Sequence, residues 1–179
     1  MSADTVIKFW FHELEPKQWW SKSDAFDQEI QRRFGALHSS AIAGECYGWR
    51  TTPIGRLAEI IVLDQFSRNI YRDKPQSFLA DSQALVLAQE AILNGCDKEF
   101  SANERAFLYI PLMHSESLLV HEWAVQIYDK PDMESYLNFE LRHKKIIERF
   151  GRYPHRNKIL GRESTSEEIE FLQTPGSSF

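Results

Sequence analysis

Phe26-Asp-Gln-Glu-Ile30-Gln-Arg-Arg-Phe34-Gly-Ala-Leu37-His-Ser-Ser-Ala41 carries large apolar side chains at spacings of four, four, three and four. That recurrence follows the 3.6-residue turn of a helix and not the two-residue period of a strand, so the stretch predicts one long helix with a continuous apolar face through Phe26, Ile30, Phe34, Leu37 and Ala41. Ser21 is placed to cap its start, with Asp24 at the third helical position, and Gly44 and Gly48 bracket its end.

The same period runs outward in both directions. Asp4 to Phe11 reads as a short first helix with Ile7, Trp10 and Phe11 on its apolar side, ended by Pro16, and Trp19-Trp20 falls in the following loop or turn. Thr52-Pro53 is a strong helix start, because the threonine accepts an orphan amide proton and the proline has none to lose. Ile54, Leu57, Ile60 and Ile61 line that helix, and Asp64 and Arg68 continue the line to a break at Arg72–Pro75. Phe78 to Ile92 is helical again, with Leu85, Ala88 and Ile92 inward and Gly95 as the stop. Ser101-Ala-Asn-Glu104 is a capping box, followed by Phe107, Pro111, His114, Leu118 and His121 on one stripe, which Pro111 must kink or split. Pro131-Asp132 opens a helix with Tyr136, Phe139, His143, Ile146, Ile147 and Phe150 inward and Gly151 at its close, and Thr165-Ser-Glu-Glu168 is a second capping box before a short last helix. No Asn-Gly or Asp-Gly turn lies between alternating runs, so strands are not expected. The expectation is a single all-α domain over residues 1–179, of six to eight antiparallel helices. Helix pairs of about 30 to 40 residues resemble the spacing of a helical solenoid, without a sequence repeat.

The 179 residues carry 21 Lys or Arg against 26 Asp or Glu, and 13% are aromatic. Eight of the cations, and only Glu148 among the acids, lie between Arg142 and Arg162, so the net charge of −5 divides into a basic late segment and an acidic remainder. The acidic total argues against general nucleic-acid binding, while the late segment keeps a local anion site open. Cys46 and Cys96 are too few for a disulfide scaffold, and two thiolates alone do not complete a structural zinc site. The longest strongly apolar run, Ile60–Leu63, is far short of the roughly 20 residues that cross a bilayer, and the N-terminus shows no secretory pattern. A cytoplasmic protein with no membrane contact is therefore expected. No phosphate-binding loop, nucleophile elbow or dinucleotide fingerprint is present, so neither a cofactor nor a metal is assigned.

Three segments concentrate polar side chains. In Leu63-Asp-Gln-Phe-Ser-Arg-Asn-Ile-Tyr-Arg72, Asp64 and Arg68 stand four apart, as do Gln65 and Asn69, and each pair is within reach on a helix. The pair Asp64–Arg68 reads either as a buried tie between helices or as a carboxylate held at the edge of a pocket, with Arg72 as a further anion contact. In Tyr109-Ile-Pro-Leu-Met-His-Ser-Glu116, His114 and Glu116 are two apart and point to different sides of a regular helix. His143 stands among apolar neighbours with Glu140 before it, and Phe150-Gly-Arg-Tyr-Pro-His-Arg-Asn157 presents Arg152, His155, Arg156 and Asn157. Planar donors of this kind suit bidentate recognition of carboxylate or phosphate, and equally the capping of helix C-termini.

These three segments, with Phe9-Trp-Phe11, Trp19-Trp20 and the stretch from Trp49 to Leu57, resemble a mainly bacterial family known as domain of unknown function 924, over nearly the whole chain. The resemblance implies an all-helical, tetratricopeptide-like right-handed superhelix of stacked antiparallel hairpins. It implies no catalytic roles. Where a typical member has Phe before the Pro-His-Arg-Asn run, this chain has Tyr153, which adds a hydroxyl. Two functions follow as expectations. One is a helical module whose polar, aromatic-lined cleft binds a small anionic molecule or a peptide, through Asp64, Gln65, Arg68, Asn69, Arg72, His114, His143, Arg152, His155, Arg156 and Asn157. The other is an acid–base or metal-dependent hydrolase that draws on Asp64, His114, Glu116, His143 and His155. Either requires Asp64 and Arg68 to share a concavity with His114 or His143.

Overall fold

The structure, a computed structural model, describes residues 1–178. Those residues form ten α-helices joined by short 3-10 and π-helical turns, with no strand among them. The helices are α1 (Ala3–Lys8), α2 (Asp24–Ile42), α3 (Pro53–Ile61), α4 (Ser67–Ile70), α5 (Asp81–Leu93), α6 (Ala102–Met113), α7 (Leu118–Tyr128), α8 (Glu134–Phe150), α9 (Asn157–Leu160) and α10 (Ser166–Leu172). The all-α class read from the periodicity is what the chain adopts.

The chain divides into two compact units. One holds Met1–Arg72 and Gln76–Pro111, and the other holds Asp73–Pro75 and the chain from Leu112 on. In the first unit, α1 packs on α3, α2 on α4, and α3 on α5. Its centre is aromatic: the Phe9 ring lies 4.8 Å from Phe34, and Phe34 another 4.8 Å from Phe66. Trp10 meets Phe107 edge-on at 5.4 Å. Offset and edge contacts of this kind add to the large area these rings remove from water.

Local chemistry sets most boundaries. Ser23, not Ser21, caps α2, accepting from the Phe26 N–H. Thr52 caps α3 with Pro53 at its first position, as expected. Gly55 is required here, since a Cβ would stand 2.0 Å from the Trp49 carbonyl oxygen. The line Ile60–Asp64 does not continue as plain α-helix: Val62–Phe66 is a π-helical turn, and all five of its residues are buried.

In the second unit, α7 packs on α8. The stripe expected from Phe107 to His121 divides: α6 carries Pro111 within it and ends at Met113, and α7 starts at Leu118. Gly151 ends α8 in the left-handed region at φ 66°, and the Thr165–Glu168 capping box starts α10. Two inward assignments shift by one residue. Phe139 is 51% exposed, and Glu140 is fully buried in its place. Leu37 is half-buried, and His38 occupies the core position. In both helices the buried side is set by neighbouring helices, and a polar group that finds a partner there is retained.

Candidate functional site

The residues singled out in the sequence fall into two networks, one in each unit. In the first unit, the π-helical turn buries Asp64, whose carboxylate lies 3.2 Å from the Arg68 guanidinium. Arg68 also grips both oxygens of Asp81, at 3.0 and 3.1 Å. Gln65 donates to Asp64 at 2.7 Å and not to Asn69. Asn69 and Arg72 both reach back to Asp27 on α2, the first at 2.8 Å and the second through a bidentate pair. Arg68 and Arg72 therefore each have an internal carboxylate, in a fork geometry that suits it well.

The second network forms around Tyr153. Its ring is buried and lies 6.3, 5.9 and 5.6 Å from the rings of His121, His143 and His155. The Arg156 guanidinium stacks over it at 4.7 Å. Its hydroxyl donates to the Met113 carbonyl at 2.5 Å, so the oxygen is an acceptor toward His121 Nε2 at 3.2 Å. That nitrogen also meets the Ser115 carbonyl at 2.8 Å and must carry a proton. His121 Nδ1 then shares one proton with Glu140 Oε1 across 2.6 Å. Imidazolium with carboxylate, or imidazole with carboxylic acid, the pair has no net charge. Burial raises the Glu140 pKa, and His121 only partly opposes this. The other Glu140 oxygen is buried without a partner, which suits the protonated acid better than the carboxylate. Glu140 thus orients His121 on the neighbouring helix, and not His143 on its own. His121 entered the sequence reading only as a stripe residue; its i+3 neighbour Ala124 is buried beside it, but nothing local marks its partner on α8.

His143 donates its Nδ1 proton to the Phe139 carbonyl, 2.7 Å away. Burial, with His114, His121 and His155 nearby, lowers its pKa to about 3, so the ring is neutral. His114 and His155 are half-buried. Glu116 accepts the Tyr153 N–H at 2.8 Å and a bidentate pair from Arg162 at 2.7 and 2.9 Å. Burial resists its charge, but Arg162 and that N–H prevail and keep its pKa low. Arg152 holds both oxygens of Glu168 at 2.6 and 2.8 Å, and this pairing takes the Glu168 pKa down to about 2. Asn157 is buried and donates to Ser164 and Glu168. The late motif and the Met113–Glu116 turn are therefore brought together in the second unit, whereas Asp64 and its partners belong to the first.

Among the described residues no group of three or more His, Cys, Asp or Glu could hold a metal ion. Both cysteines are free and buried. Among the described residues no helix is long and apolar enough to cross a membrane. A hollow of about 280 Å³ opens in the first unit between Phe11, Trp19 and the start of α6, with His12, Asn103 and Glu104 also lining it. Beside it Trp20 stacks on Phe107 at 5.6 Å, nearly parallel, and stays 56% exposed. A smaller hollow of about 180 Å³ is lined by His38, Tyr71 and Leu79.

A comparison with curated proteins gives no match. A solved structure of a protein of unknown function from Agrobacterium tumefaciens is 37% identical, with a TM-score of 0.91 over 96% of each chain. Residues 6–176 match the family described as bacterial protein of unknown function, DUF924. With that match over nearly its full length, the chain belongs to the DUF924 family.

Proposed function

We propose that this protein is a cytoplasmic binding module, its helices stacked as tetratricopeptide-like hairpins, whose aromatic hollow takes an aromatic or apolar side chain of a peptide. The half-exposed Trp20, stacked on buried Phe107 and next in the chain to Trp19 of that hollow, carries the reading. A large ring left half in water close to a concave site is a common anchor for a ligand. Of the two ligand classes expected from the sequence, the peptide is better supported than the small anion. Arg68, Arg72 and Arg152 already hold Asp81, Asp27 and Glu168, and an anion would have to displace a bidentate carboxylate. The test is NMR titration of the Trp19 and Trp20 indole resonances with N-acetyl-phenylalanine amide and, separately, citrate. The amide is expected to move both indoles, and Trp20→Ala to abolish the response. Citrate shifting the Arg68 and Arg72 guanidinium signals with silent indoles would overturn the peptide reading.

A second reading, acid–base hydrolysis, is supported by the gathering of histidines around Tyr153, since His114 and His155 reach partway to solvent there. It requires turnover of an activated ester such as p-nitrophenyl acetate that is lost in His155→Asn and kept in Trp20→Ala. Equal turnover in wild type and His155→Asn removes it.

A further inference from the structure

His38 stands on the buried face of α2, four residues after Phe34, at a place where an apolar residue would serve packing alone. It is 2% exposed. One ring nitrogen is accounted for. Ser67 donates its hydroxyl proton to the Leu63 carbonyl at 2.5 Å, so its oxygen can only accept from His38 Nε2, 2.8 Å away. This chain of bonds fixes the tautomer: Nε2 carries the proton and Nδ1 keeps a lone pair. Ser67 directly follows the π-helical turn Val62–Phe66, and such turns recur at functional sites. Nδ1 has no hydrogen-bond partner among the described residues. The ring lines the 180 Å³ hollow together with Ser39, Ile42, Tyr71, Gln76 and Leu79. Ser39 spends its proton on the Gly35 carbonyl. The Tyr71 ring meets His38 edge-on at 5.6 Å, and Leu79 stands 71% exposed at the mouth.

We propose that this hollow is a binding site for a small neutral molecule that has one hydroxyl or amide donor on a compact apolar body, with His38 Nδ1 as the acceptor. The lining has no charged side chain, so a cation would be desolvated without a counter-ion. An anion would likewise be desolvated with no cation to balance it. Burial lowers the His38 pKa, which keeps the acceptor available at neutral pH. The hollow is smaller than the roughly 300–1,000 Å³ of typical ligand pockets, and it selects an occupant of a few heavy atoms with the dimensions of a single ring. The site is separate from the aromatic hollow of the proposed function and does not depend on that reading.

Phenol and toluene are matched probes, alike in shape and different in the donor. Their binding is followed in the full-length protein by long-range 1H–15N spectra of the His38 ring and by the Leu79 methyl signals. Phenol is expected to shift His38 Nδ1 and Leu79 and to bind about ten-fold more tightly than toluene, the factor one hydrogen bond supplies. His38→Phe is expected to erase that preference. Because this variant also strands the Ser67 hydroxyl, Tyr71→Ala, which leaves the Ser67 relay intact, serves as the second variant and is expected to weaken both probes equally. Equal affinity for the two probes in the wild type, or phenol shifts that bypass His38 and Leu79 up to its solubility, would overturn the proposal.

Discussion

The Tyr153 hydroxyl shows how much one atom can organise. By donating to Met113 and accepting from His121, it joins the end of α6 to the first turn of α7. Tyr153→Phe keeps the ring and removes those bonds. It is expected to cost about 1–2 kcal/mol in urea unfolding, since the buried Met113 carbonyl loses its donor. His143 sets a pH dependence of definite sign. Its folded pKa, about 3, lies below the ordinary 6.5, so the unfolded chain binds the proton more readily between those values. Stability from this group is whole above about pH 6.5 and falls as the pH drops toward about 3. Glu168 adds a loss of the same direction from about pH 4.5 toward 2. Urea midpoints at pH 7 and pH 5 check the first: the wild type is expected to lose stability on acidification, and His143→Leu to lose less.

At the level of elements, helix starts were legible and buried faces less so. Thr52-Pro53 and Thr165-Ser-Glu-Glu168 name their helices because a cap acts within four residues. Phe139 and Leu37 were misplaced because a stripe of spacing three and four admits two neighbouring phases, and the choice between them is made by what lies opposite. Glu140 is drawn inward by His121 on α7, and His38 by Ser67 on α4. The entry to α3 offers a sharper test. With the Trp49 carbonyl 2.0 Å from where a Cβ would stand, Gly55→Ala is expected to destabilise the protein by about 2–3 kcal/mol, visible as a lower denaturation midpoint. An unchanged midpoint would mean that the turn at Tyr47–Thr51 yields without cost.

For the molecule as a whole, carboxylates meet four of the eight cations of the basic late segment. Lys144, Arg149, Arg152 and Arg162 are paired with Glu148, Glu167, Glu168 and Glu116. Pairing of this extent weakens the field that would attract a polyanion. Retention on heparin is accordingly expected to vanish by about 0.15 M salt, where the Debye length is about 8 Å. Firm retention above that would point to a basic face the internal carboxylates fail to cover.

Helical class, most helix ends and the family were readable from residue order, because periodicity, capping and motif wording act over a few neighbours along the chain. The gathering of three histidines and Glu140 around Tyr153, the allocation of each arginine to its carboxylate, and the placing of His38 at a hollow were settled only by folding. Most of these contacts join residues well separated along the chain, as in Arg152–Glu168, 16 positions apart, and Arg72–Asp27, 45 apart. Nothing in the local sequence distinguishes a side chain that meets such a partner from one that faces water.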